Sequence, residues 1–228
     1  MTLKVLGISA SPRERGNTDL LLREALRGAE AAGAEVEYLA LRDLKIGPCI
    51  ENYSCARTGE CGIEDDYQAV YAKLLATDRL VFATPVFFMG PSAQAKLLID
   101  RCQCLWARKY LLKQPLFADG PRDPSASLRA SRRAMVIAVG GTKGKKMFEC
   151  VRLTMKYFFD AAEFTYAANL FVNQVDGRAE ILRVPRAMAE AARLGSAIAA
   201  AGMPPPKAPE TVELSGGAET GGRCGEET

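Results

Sequence analysis

Five short apolar runs, each followed by a stretch of helical periodicity or by a polar loop leading into one, constrain this chain more than anything else in it. Leu3–Ser9 (LKVLGIS), Glu35–Ala40 (EVEYLA), Arg79–Thr84 (RLVFAT, ended by Pro85), Arg133–Gly140 (RAMVIAVG) and Phe164–Val172 read as strands. Most of them are near-continuous runs, the pattern of strands buried on both faces. Asn17–Ala32 places Leu22, Ala25, Leu26 and Ala29 on one helical face and stops at Gly33. Further helices are expected over Asp65–Ala76, from Pro91 through Cys102, along a stripe of Met147, Val151, Met155, Phe158 and Phe159, and over Pro185–Ala201. Strands alternating with helices imply an α/β fold with a doubly wound five-stranded parallel sheet covered on both faces. Ligands bind such sheets at the carboxyl ends of the strands, so the loops after strands one, three and four are the functional candidates.

A chain of 228 residues, 48% of them hydrophobic, supports one domain with additions. That domain is expected over residues 1–202. The connection 107–132 reads as an inserted lid or interface loop. The tail 203–228, with Pro204-Pro205-Pro206 and many Gly and Glu, is expected to be disordered. Thirty basic against 27 acidic side chains leave a net charge of +3, too balanced to argue for nucleic acid. No apolar run reaches the roughly 18 residues of a membrane helix, and the first residues lack a signal-peptide pattern, so a cytoplasmic protein is expected. The absence of His excludes a Ser-His-Asp triad, a Cys-His pair and any His-ligated metal. A bound cofactor is therefore the expected carrier of the chemistry.

The loop after strand one is Ser9-Ala10-Ser11-Pro12-Arg13-Glu14-Arg15-Gly16-Asn17-Thr18. It leads into a helix start, where free N–H groups and the positive dipole end favour a phosphate. Hydrogen bonds to a charged phosphate, about 1.5–3 kcal/mol each, outweigh the dipole term of about 0.3–1 kcal/mol. A plain polar turn capped by Asn17 or Thr18 is the other reading. A dinucleotide G-x-G-x-x-G is absent, because Gly7 is followed by Ser9, and no Walker motif exists.

Gly7-Ile8-Ser9-Ala10-Ser11-Pro12-Arg13 with Gly16-Asn17-Thr18 resembles the FMN phosphate loop of the NADPH-dependent FMN reductases and iron–sulfur flavoproteins. The resemblance continues through Asp65-Asp66, Thr84-Pro85-Val86-Phe87-Phe88, Lys96 and Asp100-Arg101, and covers roughly Leu3 to Ile181. It implies the flavodoxin-like version of the fold, strand order 2-1-3-4-5. It assigns the phosphate to Ser9, Ser11, Asn17 and Thr18 with Pro12 and Arg13 nearby, and the flavin ring to Thr84, Pro85, Val86, Phe87 and Phe88. Any one of Val86, Phe87 and Phe88 is equally well read as core, and Asp100 and Arg101 as an ion pair. The resemblance also implies a third flavin loop opened by Gly140 and Gly141, followed by Lys143, Lys145 and Lys146, which suit either a dinucleotide phosphate or solvent.

The same resemblance would place iron–sulfur ligands in the loop after strand two. Cys49, Cys55 and Cys61 match three of four positions, but the second is Asn52. A [4Fe–4S] cluster normally takes four thiolates, so the loop is expected to hold free or packed thiols, unless Cys102 or Cys104 completes a set. Cys102, Cys104 and Cys150 otherwise read as helix core, and Cys224 lies in the tail. The resemblance implies an FMN-dependent NAD(P)H oxidoreductase in which flavin N5 carries the chemistry and no side chain is catalytic. NADPH or NADH is the donor, the acceptor is a small molecule or a protein, and the chain forms a homodimer or homotetramer. An electron carrier of the iron–sulfur flavoprotein type is the alternative.

Overall fold

The apolar runs form one sheet. Its strands are β1 (Lys4–Ser9), β2 (Glu35–Ala40), β3 (Arg79–Phe87), β4 (Gly90–Pro91), β5 (Arg133–Val139), β6 (Thr165–Asn173) and β7 (Glu210–Ser215). The computed structural model describes residues 2–114, 132–144, 146–200 and 206–217. The parallel path runs β2-β1-β3-β5-β6-β7, and the short β4 pairs antiparallel with β3. The five expected strands therefore stand in their expected order, joined by two that sequence reading did not supply.

Alternation along the strands divides the core. Leu6, Ile8, Leu80, Phe82, Ala134 and Val136 face one layer; Val5, Val81, Ala83, Met135 and Ile137 face the other. The first layer is closed by α3 (Tyr67–Ala76), α4 (Ala93–Arg101), α5 (Gln103–Trp106) and α6 (Glu149–Ala161). The second is closed by α1 (Asn17–Ala31) and α7 (Pro185–Ala199). One further helical turn, α2 (Ser54–Thr58), lies in the cysteine loop. The stripe Met147, Val151, Met155, Phe158 and Phe159 is buried as expected.

Helices α1 and α7 touch backbone to backbone. A Cβ built on Gly28 would stand 2.1 Å from Ala192 O, and one on Gly195 would stand 1.9 Å from Ala25 O. On the opposite layer, buried Arg132 gathers carbonyls left over at helix ends. It donates to Thr77 O at 3.1 Å and Ala162 O at 2.8 Å, and to Leu74 O. Last-turn carbonyls have no partner inside their own helix, so a buried guanidinium satisfies several at once.

Three boundaries differ from the sequence reading. Strand β3 does not end at Thr84 but continues through Pro85 to Phe87. Its pairing with β1 stops at Ala83, so the missing N–H of Pro85 falls where one side of the strand is free. Helix α3 begins at Tyr67 because Asp65 is used as a turn, its Oδ1 accepting the Tyr67 N–H at 2.9 Å. The segment 203–228, expected without structure, contains β7. Glu210–Ser215 alternates outward Glu and Thr with Val212 and Leu214, which pack on the α1/α7 layer. Its Pro- and Gly-rich flanks hide that period of two. Residues 201–205 and 218–228, with Cys224, and most of the 107–132 connection lie outside the described residues. From that connection the π-helical turn Ala107–Leu111 extends α5.

Gly195→Ala should test the helix contact. Alanine adds helix propensity of about 1 kcal/mol, yet the collision is with backbone that cannot rotate away. Urea unfolding should show a net loss of about 1–3 kcal/mol. An unchanged or raised midpoint would mean that the two helices separate without cost.

Candidate functional site

Four loops meet at the carboxyl ends of β1, β3, β5 and β6 and line a single cleft. The first supplies Ser11, Pro12, Arg13, Gly16, Asn17 and Thr18. Ser11 shapes it: its Oγ accepts from Arg13 N at 3.2 Å and donates to Arg13 O at 3.0 Å. Arg15 then takes a left-handed φ of 53° to bring the chain onto α1. A Cβ on Gly16 would press Ser11 Oγ at 2.9 Å and Arg13 O at 3.1 Å, so glycine keeps this bend open. Ser9 does not line the cleft. It is fully buried beneath the loop, and its Oγ has no hydrogen-bond partner.

The second loop supplies Pro85, Val86 and Phe87. Thr84 is buried behind them and holds the turn, its Oγ1 accepting from Ser92 N at 3.0 Å. Phe88 and Met89 form the two-residue tip of the β3–β4 hairpin, with φ of 46° and 66°. Such tips normally take Asn-Gly, because both residues need left-handed backbone. Phe88 is fully exposed there, neither in the core nor lining the cleft. The third loop supplies Val139 and Gly141; Gly140 sits beside them against Met147 and Val86.

The fourth loop, Val175 and Asp176 after β6, was not found by sequence reading. It corrects the role of Asn17. That side chain donates from Nδ2 to Gly177 O at 2.9 Å and accepts at Oδ1 from Ile181 N at 3.1 Å, so it is committed to joining two loops. Arg13 also reaches across, to Asp176 O at 3.4 Å. The only signal was the turn sequence Gln174-Val175-Asp176-Gly177 directly after a strand.

A buried carboxylate underlies the first loop. Asp19 is wholly inaccessible, yet it accepts from Arg15 N at 3.1 Å, Arg23 Nε at 3.2 Å and the Tyr38 hydroxyl, with Arg42 Nη1 at 3.5 Å. The Ser9 hydroxyl lies close enough to favour the ionised form, although not in hydrogen-bonding geometry. Burial alone would raise Asp19. The donors around it win and hold it below the ordinary carboxyl value of 3.8.

Other expected residues lie elsewhere. Asp100 and Arg101 do not pair with each other: Asp100 pairs with Lys96 at 2.5 Å, and Arg101 with Asp65 at 2.6 Å. Cys49, Cys55 and Cys61 line a separate cavity with Cys102. Cys102 and Cys104 are buried as expected, whereas Cys150 is exposed rather than core.

Asp19→Asn should test the support beneath the loop. A carboxyl lowered in the folded state adds stability above its unfolded pKa, and that stability is lost as pH falls through the folded value. The variant should therefore lose about 1–3 kcal/mol at neutral pH, and the deficit should shrink below the ordinary value of 3.8. Urea titrations at both pH values measure this; a deficit independent of pH would remove the charge from the account.

The family model for NADPH-dependent FMN reductase matches residues 3–171. An iron–sulfur flavoprotein of Methanocaldococcus jannaschii is 44% identical over 103 residues, 45% of this chain and 53% of that protein. The chain thus spans about half the length of that curated relative, and a similar share, 54%, of an Archaeoglobus fulgidus iron–sulfur flavoprotein. A Bacillus subtilis protein named as an NAD(P)H-dependent FMN-containing oxidoreductase is 34% identical over 143 residues, 63% of this chain and 70% of that one. Among solved structures, an NAD(P)H:quinone oxidoreductase from Methanothermobacter marburgensis shares the fold, with TM-score 0.63 at 16% identity, over 90% of this chain and 100% of the other. Matched over residues 3–171, the chain belongs to the NADPH-dependent FMN reductase family.

Proposed function

We propose that the chain is an FMN-dependent NAD(P)H oxidoreductase that passes electrons to a small-molecule or protein acceptor. The observation that carries this reading is the convergence of the expected loops on one cleft. The residues present fit the cofactor. Thr18 offers a hydroxyl, the start of α1 offers N–H groups, and the exposed Arg13 guanidinium offers a counter-charge. Bound there, FMN supplies the redox chemistry, accepting electrons from the reduced nicotinamide and releasing them to the acceptor.

The chain's own residues bind and orient. Ser11 fixes the phosphate turn, and Asp19 holds the Arg15 amide in its left-handed place from below. Pro85 stiffens the exit of β3, keeping the Val86 and Phe87 backbone in fixed positions for the polar edge of a flat ring. Gly141 permits close approach on the opposite side, where a Cβ would meet the Asp176 side chain at 3.1 Å. No side chain needs to act as nucleophile or general acid.

Exposed Phe88, Met89 and Leu153, outside the cysteine cavity, support association with further copies as a homodimer or homotetramer. The six described cysteines are free, which supports a reducing, cytoplasmic setting. No helix among the described residues is long and apolar enough to cross a membrane.

Mixing the FMN-loaded protein with NADPH or NADH in a stopped-flow instrument should bleach the flavin band within a turnover time; failure with both would end this reading. Thr18→Val should weaken FMN binding about ten- to a hundredfold, the loss of one charge-assisted hydrogen bond, with the urea midpoint of the apoprotein unchanged. Unchanged affinity by fluorescence quenching would move the phosphate away from Thr18.

A further inference from the structure

Five of the seven cysteines gather beneath the loop after β2. Cys49, Cys55, Cys61 and Cys102 line a cavity of about 830 Å³, within the size range of small-molecule sites. Cys104 lies behind it, 3.0 Å from the Tyr67 hydroxyl. These residues do not fit an iron–sulfur cluster. Asn52 stands at the second ligand position, with its Oδ1 accepting from Ser54 N at 3.1 Å. Cys102 and Cys104 are buried among the helices, and Cys104 is turned to the Tyr67 hydroxyl. Among the described residues no three Cys, Asp or Glu side chains are arranged to hold a metal ion.

The loop is ordered by a buried guanidinium instead. Arg101, 1% exposed, donates to Gly47 O at 3.1 Å, Ile63 O at 2.9 Å and the Asp65 carboxylate at 2.6 Å. Asp65 in turn accepts from Gly47 N at 2.9 Å. Arg101 Nε points at Cys61 Sγ from 3.2 Å. A guanidinium aimed at a partly accessible sulfur is an environment in which thiols act as nucleophiles.

Cys55 is placed to be its partner. Helix α2 is a single turn stopped at Gly59, whose φ of 75° folds the chain back. The return is tight: Gly62 N donates to Ser54 Oγ at 3.1 Å, which brings residue 61 alongside residue 55. Burial, with Cys49 and Cys61 nearby, holds the Cys55 thiol above its ordinary range. Cys55 thus stands near a sulfur that faces a positive charge.

We propose that Cys61 and Cys55 form a redox-active dithiol that takes low-molecular-weight disulfides from this cavity. The Cys61 thiolate attacks one sulfur of the disulfide RSSR. A Cys61–SR bond forms, the S–S bond breaks, and RS⁻ leaves and takes a proton from water. Cys55 then loses its proton to water and attacks Cys61 Sγ, forming the Cys55–Cys61 disulfide and expelling the second RS⁻, which is protonated in turn. Two protein thiols are oxidised and one small disulfide is reduced to two thiols. The inference stands independently of flavin turnover.

The test uses the full chain, reduced and then exposed to oxidised glutathione, with intact mass and peptide mapping. The wild type should lose two thiols and map a Cys55–Cys61 disulfide. Cys55→Ser should stop with one glutathione on Cys61, Cys61→Ser should yield neither product, and Cys150→Ser should behave as wild type. Because substitutions in this loop can disturb folding, the unmodified chain is also labelled with limiting iodoacetamide; Cys61 should react roughly tenfold faster than the more exposed Cys150. Slower labelling of Cys61 than of Cys150, a disulfide mapped to any other pair, or stoichiometric iron and sulfide on anaerobically purified protein would overturn the proposal.

Discussion

Covering a parallel sheet on both faces dictates most of this molecule. Each strand must place an apolar residue on both sides, so alternate residues of β1, β3 and β5 fall into two separate cores. Each connection must then cross over and return in the same direction, which delivers every strand-to-helix loop to one end. The cleft is the product of that delivery. Ser11, Val86, Gly141 and Asp176 are far apart in sequence and neighbours only because four strands end side by side.

The polar interior is organised by charges that reach backbone groups. Arg132 satisfies one carbonyl of α3 and those of the residues that follow α3 and α6, Arg101 ties the two ends of one loop, and Asp19 holds a left-handed amide. A buried ion pair by itself adds little, because desolvation offsets attraction. Here the charged groups also serve N–H and C=O groups that would otherwise be buried unpaired. Leaving such groups unmade costs about 1–3 kcal/mol each, and that asymmetry explains why charged residues are retained inside.

Periodicity made the five main strands and the larger helices legible, and the phosphate-type loop announced itself by residue types next to a strand end. What stayed hidden was mostly long-range. Nothing in Asn17 tells that its amide bonds residues 177 and 181, since its sequence context is that of a helix cap. Asp100-Arg101 suggested a pair, but neighbours along a helix point in different directions, and Arg101 turns inward to Asp65. The β3–β4 hairpin escaped notice because Phe-Met violates ordinary turn chemistry. Two bulky residues held left-handed at an exposed tip carry local strain of the kind that accompanies functional loops.

Strand β7 has a consequence for the open edge of the sheet. Without it, the edge of β6 would present a row of unpaired N–H and C=O groups, with the buried Asn169 amide losing its bond to Thr211 Oγ1 at 2.9 Å. Such an edge is a template on which another chain can add a strand. The six residues that cover it place Glu210 and Glu213 on the new rim. The sheet thus ends in a short strand whose exposed side chains include two carboxylates, Glu213 and Glu210, the latter paired with Arg193. Short charged edges of this kind resist the addition of a further strand.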